Sequence, residues 1–197
     1  MNEDVATTSR GRAKADRRQA LLSSAARLFA ENGFARVSLE DLGSAVGVSG
    51  PAVYRHFDSK QAVLAALLVE VSERLVSGGQ GVVAEAADDE DALRALIRFH
   101  VEFALVNPDV IRVQDRDLDS LADEDQHAVR ALQREYVELW VAVLGRVHPE
   151  ADTESLRIRA HATFGLINST PHSARATQAT RGILEQMALA GLSAPVE

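Results

Sequence analysis

Between positions 54 and 60 the chain reads Tyr54-Arg55-His56-Phe57-Asp58-Ser59-Lys60, a segment dense in donors suited to phosphate oxygens. A phenol, an imidazole and an ammonium can each donate to an anionic oxygen, and contacts of that kind set register on a nucleic acid without reading its sequence. Arg55 can do more, because a guanidinium matches the two acceptors on the major-groove edge of guanine. A second group of residues suits a different chemistry, with polar or aromatic side chains set on otherwise apolar helical faces. His100 stands among Leu96, Ile97, Phe103 and Ala104; Tyr136 and Trp140 are one helical turn apart; His161 and Asn168 share a face with Phe164 and Gly165. Small-molecule pockets have that composition, mostly apolar with a few placed polar groups. Each of these residues is also compatible with a plain core or interface position.

The elements that position these residues are helical almost throughout, with no sustained two-residue alternation. A first helix starts near Asp16 or Arg17 and carries Leu21, Leu22, Ala25, Leu28 and Phe29 as its stripe. Gly33 reads as its left-handed stop, with Phe34 folding back on Phe29. Ser38 caps a second helix and Asp41 returns the bond; Leu39, Leu42, Ala45 and Val46 are its apolar positions, and Gly47 stops it. A brief third helix has Pro51 near its start, where a missing N–H costs nothing, and ends around Phe57. Asp58, with Gln61 as partner, is expected to cap a fourth helix containing Val63, Leu64, Leu67, Leu68, Val71 and Leu75.

Ser77-Gly78-Gly79-Gln80-Gly81 reads as a flexible break. Beyond it the pattern predicts helices over about 88–106, 109–118, 123–147, 153–170 and 174–190, the last stopped by Gly191. The fold class is therefore all-α. A flexible basic arm (1–15) leads into a helix-turn-helix head (16–62), then a connecting helix (63–77) and a larger body (82–197).

Charge separates the two parts. The net charge is −8, yet residues 1–62 carry nine Lys/Arg against seven Asp/Glu, so the acidity belongs to the rest. A polyanion-binding head on an acidic body is the simplest account. The basic arm from Arg10 to Arg18 can track a DNA backbone, reach the minor groove or stay disordered without DNA. With 46% hydrophobic and 5% aromatic residues, the core must be aliphatic. The absence of cysteine rules out disulfides and thiolate metal sites, and the carboxylates near His100 and His161 fall outside metal-ligand spacings. A signal peptide and a membrane span are not visible, so a cytoplasmic location without membrane partners is expected. A glycine-rich phosphate loop, nucleophile elbow and coherent carboxylate pair are all missing from the sequence, so neither an enzyme nor a cofactor is expected.

Two short helices joined by a Gly-containing turn make a helix-turn-helix, but many helical corners satisfy that pattern. More specific is the series Arg18-x-x-Leu21-Leu22-x-x-Ala25-Ala26-x-Leu28-Phe29-x-x-x-Gly33-Phe34. It continues as Ser38-Leu39-x-Asp41-Leu42-x-x-x-Val46-Gly47-Val48-Ser49 and closes with Ala52-Val53-Tyr54-Arg55-His56-Phe57-x-Ser59-Lys60. This series resembles the N-terminal domain of the tetracycline-repressor (TetR) family, the Tyr-x-His-Phe-x-x-Lys ending being its most specific part. The resemblance implies a dimeric transcription repressor on double-stranded operator DNA. It implies phosphate contacts from Tyr54, His56 and Lys60, and a further anion site at the helix start of Ser38. Gly50, Pro51, Ala52 and Arg55 would face the bases, with Pro51 and Ala52 suited to a thymine methyl. Glu40, where some relatives have a basic residue, would accept from a cytosine amine or face solvent.

The body is similar to the family's regulatory domain, a helical bundle holding a ligand pocket and a dimer interface. The resemblance implies that the last two long helices pair with their symmetry mates, with Ala160, Phe164 and Ile167 on one stripe and Ile183, Leu184, Met187 and Ala190 on the other. His100, Phe103, Tyr136, Trp140, His161 and Asn168 are the candidate pocket residues. The charged run Arg112 to Asp117 couples pocket to head, anchors a polar ligand group, or is simply a solvated face. Arg116-Asp117-Leu118, Arg134-Glu135-Tyr136-Val137 and Phe164-Gly165-Leu166-Ile167-Asn168-Ser169 resemble actinobacterial regulators of fatty-acid or lipid catabolism. They imply a lipid or acyl-CoA-like effector. A helix-turn-helix protein answering to no ligand, or to a protein partner, is the alternative.

Overall fold

The computed structural model describes residues 3–173 and 177–194, and every regular element among them is helical. The first helix, α1 (Glu3–Asn32), is much longer than its apolar stripe. It starts at Glu3 rather than near Asp16, so the expected arm is helical from that point. The segment lacks proline and is rich in Ala and Arg, which are strong helix formers. Burial begins only at Leu21, while Gly11 to Arg17 stay exposed; the side chain of Arg10 lies outside the described residues. Gly33 stops the helix at φ 86°, a left-handed conformation, and its N–H donates to Phe29 O at 2.8 Å. Phe34 meets Phe29 edge-on with ring centres 5.3 Å apart.

After a 3₁₀ turn (Phe34–Arg36) come α2 (Leu39–Ala45) and α3 (Gly50–Val53). The third helix ends at Val53, earlier than the sequence suggests. Tyr54 to His56 form a tight turn, with Arg55 and His56 donating to Ala52 O and Val53 O. Ser59, not Asp58, caps α4 (Lys60–Ala84), accepting from Ala62 N at 3.0 Å.

The helix α4 runs unbroken through Ser77 to Gly81, which overturns the expected flexible break. Two of its three glycines serve close packing. A Cβ at Gly78 would lie 2.4 Å from Phe99, and one at Gly79 would lie 2.8 Å from Tyr136 and 2.9 Å from Leu139. Two neighbouring helices press onto the backbone where side chains would otherwise hold them off.

The body continues with α5 (Asp89–Val106), α6 (Pro108–Asp117), α7 (Asp123–Val147), α8 (Thr153–Asn168), a single turn α9 (Thr170–Ser173) and α10 (Gln178–Leu192). Asp88, Asp152 and Thr177 cap their helices by accepting N–H bonds three residues on. Gly191 lies inside α10 instead of ending it, and the expected start at Ala174 falls outside the described residues.

The buried residues form two clusters. Leu21, Phe29, Leu42, Val53, Phe57 and Leu64 fill the head, joined by Val110 and Val113 from α6 and Val129 from α7. Leu96, Trp140, Leu144, Ala160, Ile167 and Leu184 fill the body. The helix α4 contributes Val71 to the first and Val76 to the second, so one rigid rod serves both.

Candidate functional site

The recognition surface is assembled by the crossing of α2 and α3. Ser38 accepts from Asp41 N at 3.1 Å, and Asp41 accepts from Ser38 N at 2.8 Å and from Ser38 Oγ at 2.7 Å. Those bonds hold the exposed Asp41 carboxyl below the ordinary carboxylate range. They also place a carboxylate of the chain at the start of α2, beside the anion site expected at Ser38.

Gly43, which the sequence pattern passes over, makes the crossing possible. A Cβ there would stand 2.8 Å from Val48 O and 3.0 Å from Val53. A glycine in mid-helix is the only sequence signal for this approach. A Cβ at Gly50 would meet the Glu40 side chain at 3.4 Å, an ordinary contact distance. Glu40 therefore covers the first residue of the recognition helix.

Around this frame, Tyr54 is 52% exposed and Arg55 is exposed. Pro51 is exposed and Ala52 half-buried at the front of α3. Ser38, Tyr54 and Lys60 line one open surface hollow together with Arg36 and Asp58. Lys60 is more than a free cation, since its ammonium donates to Phe34 O at 2.8 Å and Ala35 O at 3.2 Å and sits over the Phe34 ring. It straps the 3₁₀ turn to α4 and leaves one donor for a phosphate.

His56 lies outside that hollow, half-buried, its Nδ1 without a hydrogen-bond partner. Burial, then the positive charges of Lys14, Arg17, Arg18 and Arg55, hold its pKa below the ordinary histidine value. An incoming phosphate would offset those charges. Arg18, expected as part of the arm, is instead an internal tie, ion-paired with Glu70 of α4 and stacked over Phe57.

In the body, five of the six expected pocket residues come together. His100, Phe103, Tyr136, His161 and Asn168 line a cavity of about 200 Å³ between α4, α5, α6, α7 and α8. Trp140 does not line it. It is fully buried behind His100 and Phe164, with ring centres 6.0 and 5.0 Å away. Gln114 and Phe164, absent from the expected set, do line the cavity. Their helical positions could have nominated them, but only the tertiary fold sets α6 and α8 on walls of the same cavity.

His100 Nε2 lies 3.1 Å from Asn168 Oδ1, and its Nδ1 lies 3.3 Å from the Tyr136 hydroxyl. The amide oxygen can only accept, so Nε2 carries the proton and Nδ1 accepts from the phenol. Burial lowers the His100 pKa to about 4, against a partial offset from Asn168, and pushes the Tyr136 phenol upward. Both rings are neutral in this chain of bonds.

The charged run in α6 is a structural joint. Asp117, 6% exposed, accepts from Arg116 Nε at 3.1 Å and from its terminal nitrogen at 2.9 Å. The same guanidinium donates to Phe29 O and Ala30 O at the end of α1. Arg112 donates to Asp109 at 3.1 Å and to Pro171 O. Thus α6 lends Val110, Ile111 and Gln114 to the cavity wall while its far end grips the head.

A helix-turn-helix head joined through α4 and α6 to a cavity-bearing helical body is the class that fold and site define. Residues 21–67 match the bacterial regulatory proteins of the tetR family, and residues 86–172 match the tetracyclin repressor-like C-terminal domain. The chain belongs to the tetR family of bacterial regulatory proteins. It is 31% identical to the HTH-type transcriptional repressor KstR2 of Rhodococcus jostii, over 66% of this chain and 65% of that one. It is 39% identical to the HTH-type transcriptional regulator EthR of Mycolicibacterium smegmatis, over 44% and 43% respectively. The matches thus span at most about two thirds of these relatives' length. A TetR-family transcriptional regulator from Bordetella parapertussis superposes with a TM-score of 0.81 at 23% identity, covering 89% of this chain and 93% of that one. These relatives are regulators of transcription rather than enzymes. No helix among the described residues is long and apolar enough to cross a membrane.

Proposed function

We propose that the protein is a homodimeric repressor that binds operator DNA through α2, α3 and the Tyr54–Lys60 turn, and that a small, largely apolar ligand in the body cavity releases it. The observation that carries this reading is the double role of α6, cavity wall at Val110, Ile111 and Gln114 and clamp on α1 at Arg116. A second path runs through Tyr136, which lines the cavity and packs on Gly79 of α4. A ligand that favours a shifted α6 or Tyr136 therefore moves the head as a body, without any hinge in α4. Only its differential affinity for the two arrangements drives the shift.

Two heads must meet successive major grooves about 34–36 Å apart, or a multiple of that distance. A few ångströms of displacement would then break paired docking. The dimer face follows from exposure. Ala160, Ile167 and Leu184, expected on that face, are buried in the protomer's own core, and Phe164 lines the cavity. Ile158 of α8 with Ile183 and Met187 of α10 are the large apolar side chains left exposed there, at 63%, 56% and 52%. An unpartnered apolar face of that kind marks an interface.

On this reading the protein works in the cytoplasm, with the chromosome it binds. The test is sedimentation with and without a selected duplex, followed by ligand screening on the complex. A dimer on DNA that a cavity ligand dissociates supports the reading. A monomer on DNA, or a complex that no cavity-binding compound dissociates, sinks it in favour of a ligand-independent DNA binder.

A further inference from the structure

The polar inventory of the cavity restricts its occupant. Of the fourteen residues that line it, none is Lys, Arg, Asp or Glu. His100 is buried with both ring nitrogens engaged, by Asn168 and by Tyr136, and is neutral in that arrangement. The Ser72 hydroxyl donates to Leu68 O at 2.8 Å. The donors that remain for a ligand are the amide N–H₂ of Asn168, whose oxygen is already bonded, and the side-chain amides of Gln114 and Gln133. His161 is exposed at the rim. Phe103, Tyr136 and Phe164 supply flat aromatic surface, the last two stacked with an interplanar angle of 24°.

We infer that the effector is an uncharged, ring-bearing molecule whose carbonyl or hydroxyl oxygen meets the Asn168 amide. This rests on the reading of the cavity as the effector site. A carboxylate or phosphate entering here would shed its hydration with no cation to receive it, and such a transfer is strongly unfavourable. A neutral oxygen acceptor loses little, because the amide donors replace its water. The cavity, at about 200 Å³, is also smaller than the 300–1,000 Å³ of drug-sized sites, which suits one or two fused rings. A coenzyme A thioester, with its phosphates and length, does not fit these terms, and a free fatty acid brings the wrong charge.

The experiment uses matched probes that differ only in charge. Naphthamide and naphthoate, benzamide and benzoate, and octanamide with octanoate and octanoyl-coenzyme A are titrated calorimetrically into the full chain. The pH is set above the ordinary histidine range. At least one aromatic amide should bind about tenfold or more tightly than its carboxylate, and the aromatic pairs should outrank the aliphatic one. Replacing Gln114→Arg supplies the missing cation and should reverse the preference toward naphthoate. Equal or tighter binding of the carboxylates or of the thioester overturns the inference, as does silence from every amide. Amide binding that leaves a protein–DNA complex intact would overturn the regulatory reading while the ligand class stands. Release by naphthoate with naphthamide inert would do the reverse.

Discussion

Head and body are both helical with aliphatic cores, yet they dispose of their polar side chains in opposite ways. In the head, Tyr54 and Arg55 point outward, and the caps, Gly43 and the Lys60 strap hold the short turn that presents them. In the body, His100 and Tyr136 are buried and bonded to one another, leaving a mostly apolar, uncharged hollow. A polyanion on the outside needs exposed donors on a stiff frame. A small neutral molecule on the inside needs the donors sunk among rings. The contrast shows one chain building two recognition chemistries from the same kind of element, joined where α4 and α6 pass from one core to the other.

Acid should break the body most severely. The His100 pKa falls from its ordinary 6.5 to about 4 on burial, so between those values the unfolded chain holds a proton that the folded chain refuses. Stability is therefore full above about pH 6.5 and declines as pH falls toward 4, by on the order of 3 kcal/mol. Urea midpoints across that range check it, and His100→Gln should remove most of the slope; an unchanged slope would mean the proton goes elsewhere.

Gly43→Ala should break the head instead. The new methyl meets a backbone carbonyl that cannot rotate away, costing roughly 1–3 kcal/mol, and the splayed helices should lose duplex binding. Cavity ligands should still bind, which thermal shift can read alongside DNA anisotropy.

Gly79→Ala sharpens the role of α4. In a flexible break or an open helix face, alanine would stabilise by up to about 1 kcal/mol. Pressed against Tyr136 and Leu139, it should instead destabilise by about 1 kcal/mol net. A gain in melting temperature would restore the hinge.

The smallest change is Tyr54→Phe, which should weaken every duplex alike by about 1 kcal/mol. It should leave stability within about 0.5 kcal/mol, and because the phenol is neutral the salt dependence should not move. A flattened salt slope would place an ionic contact there.

The head was largely legible in the sequence because its signals are local. Ser38 with Asp41, the left-handed Gly33 and Gly47, and the Tyr54 to Lys60 spacing each act within a few residues. Glycines at 43, 78 and 79 were opaque because a mid-helix glycine means a break or a close approach, depending on a partner distant in sequence. The stripe on α8 was misassigned, and that on α10 at Leu184 alone, for a related reason. Both helices are apolar on more than one side, and only packing shows that Ala160 and Leu184 turn inward while Ile158 and Met187 remain outside. The cavity residues were recognisable as polar groups on apolar faces, but Trp140 met the same description from behind the wall. What Lys60 and Arg116 hold, the carbonyls ending α1 and its following turn, follows from chain geometry that composition does not carry.

The central claim, that the Pro51 to Lys60 segment reads duplex DNA, is tested most directly by selecting random duplexes with the wild-type chain and with Arg55→Ala. The wild type should enrich an inverted repeat of short half-sites. The variant should keep the repeat but lose preference at one position in each half, a change worth about 1–3 kcal/mol. Enrichment of no sequence by the wild type, or an identical preference in the variant, would contradict the account.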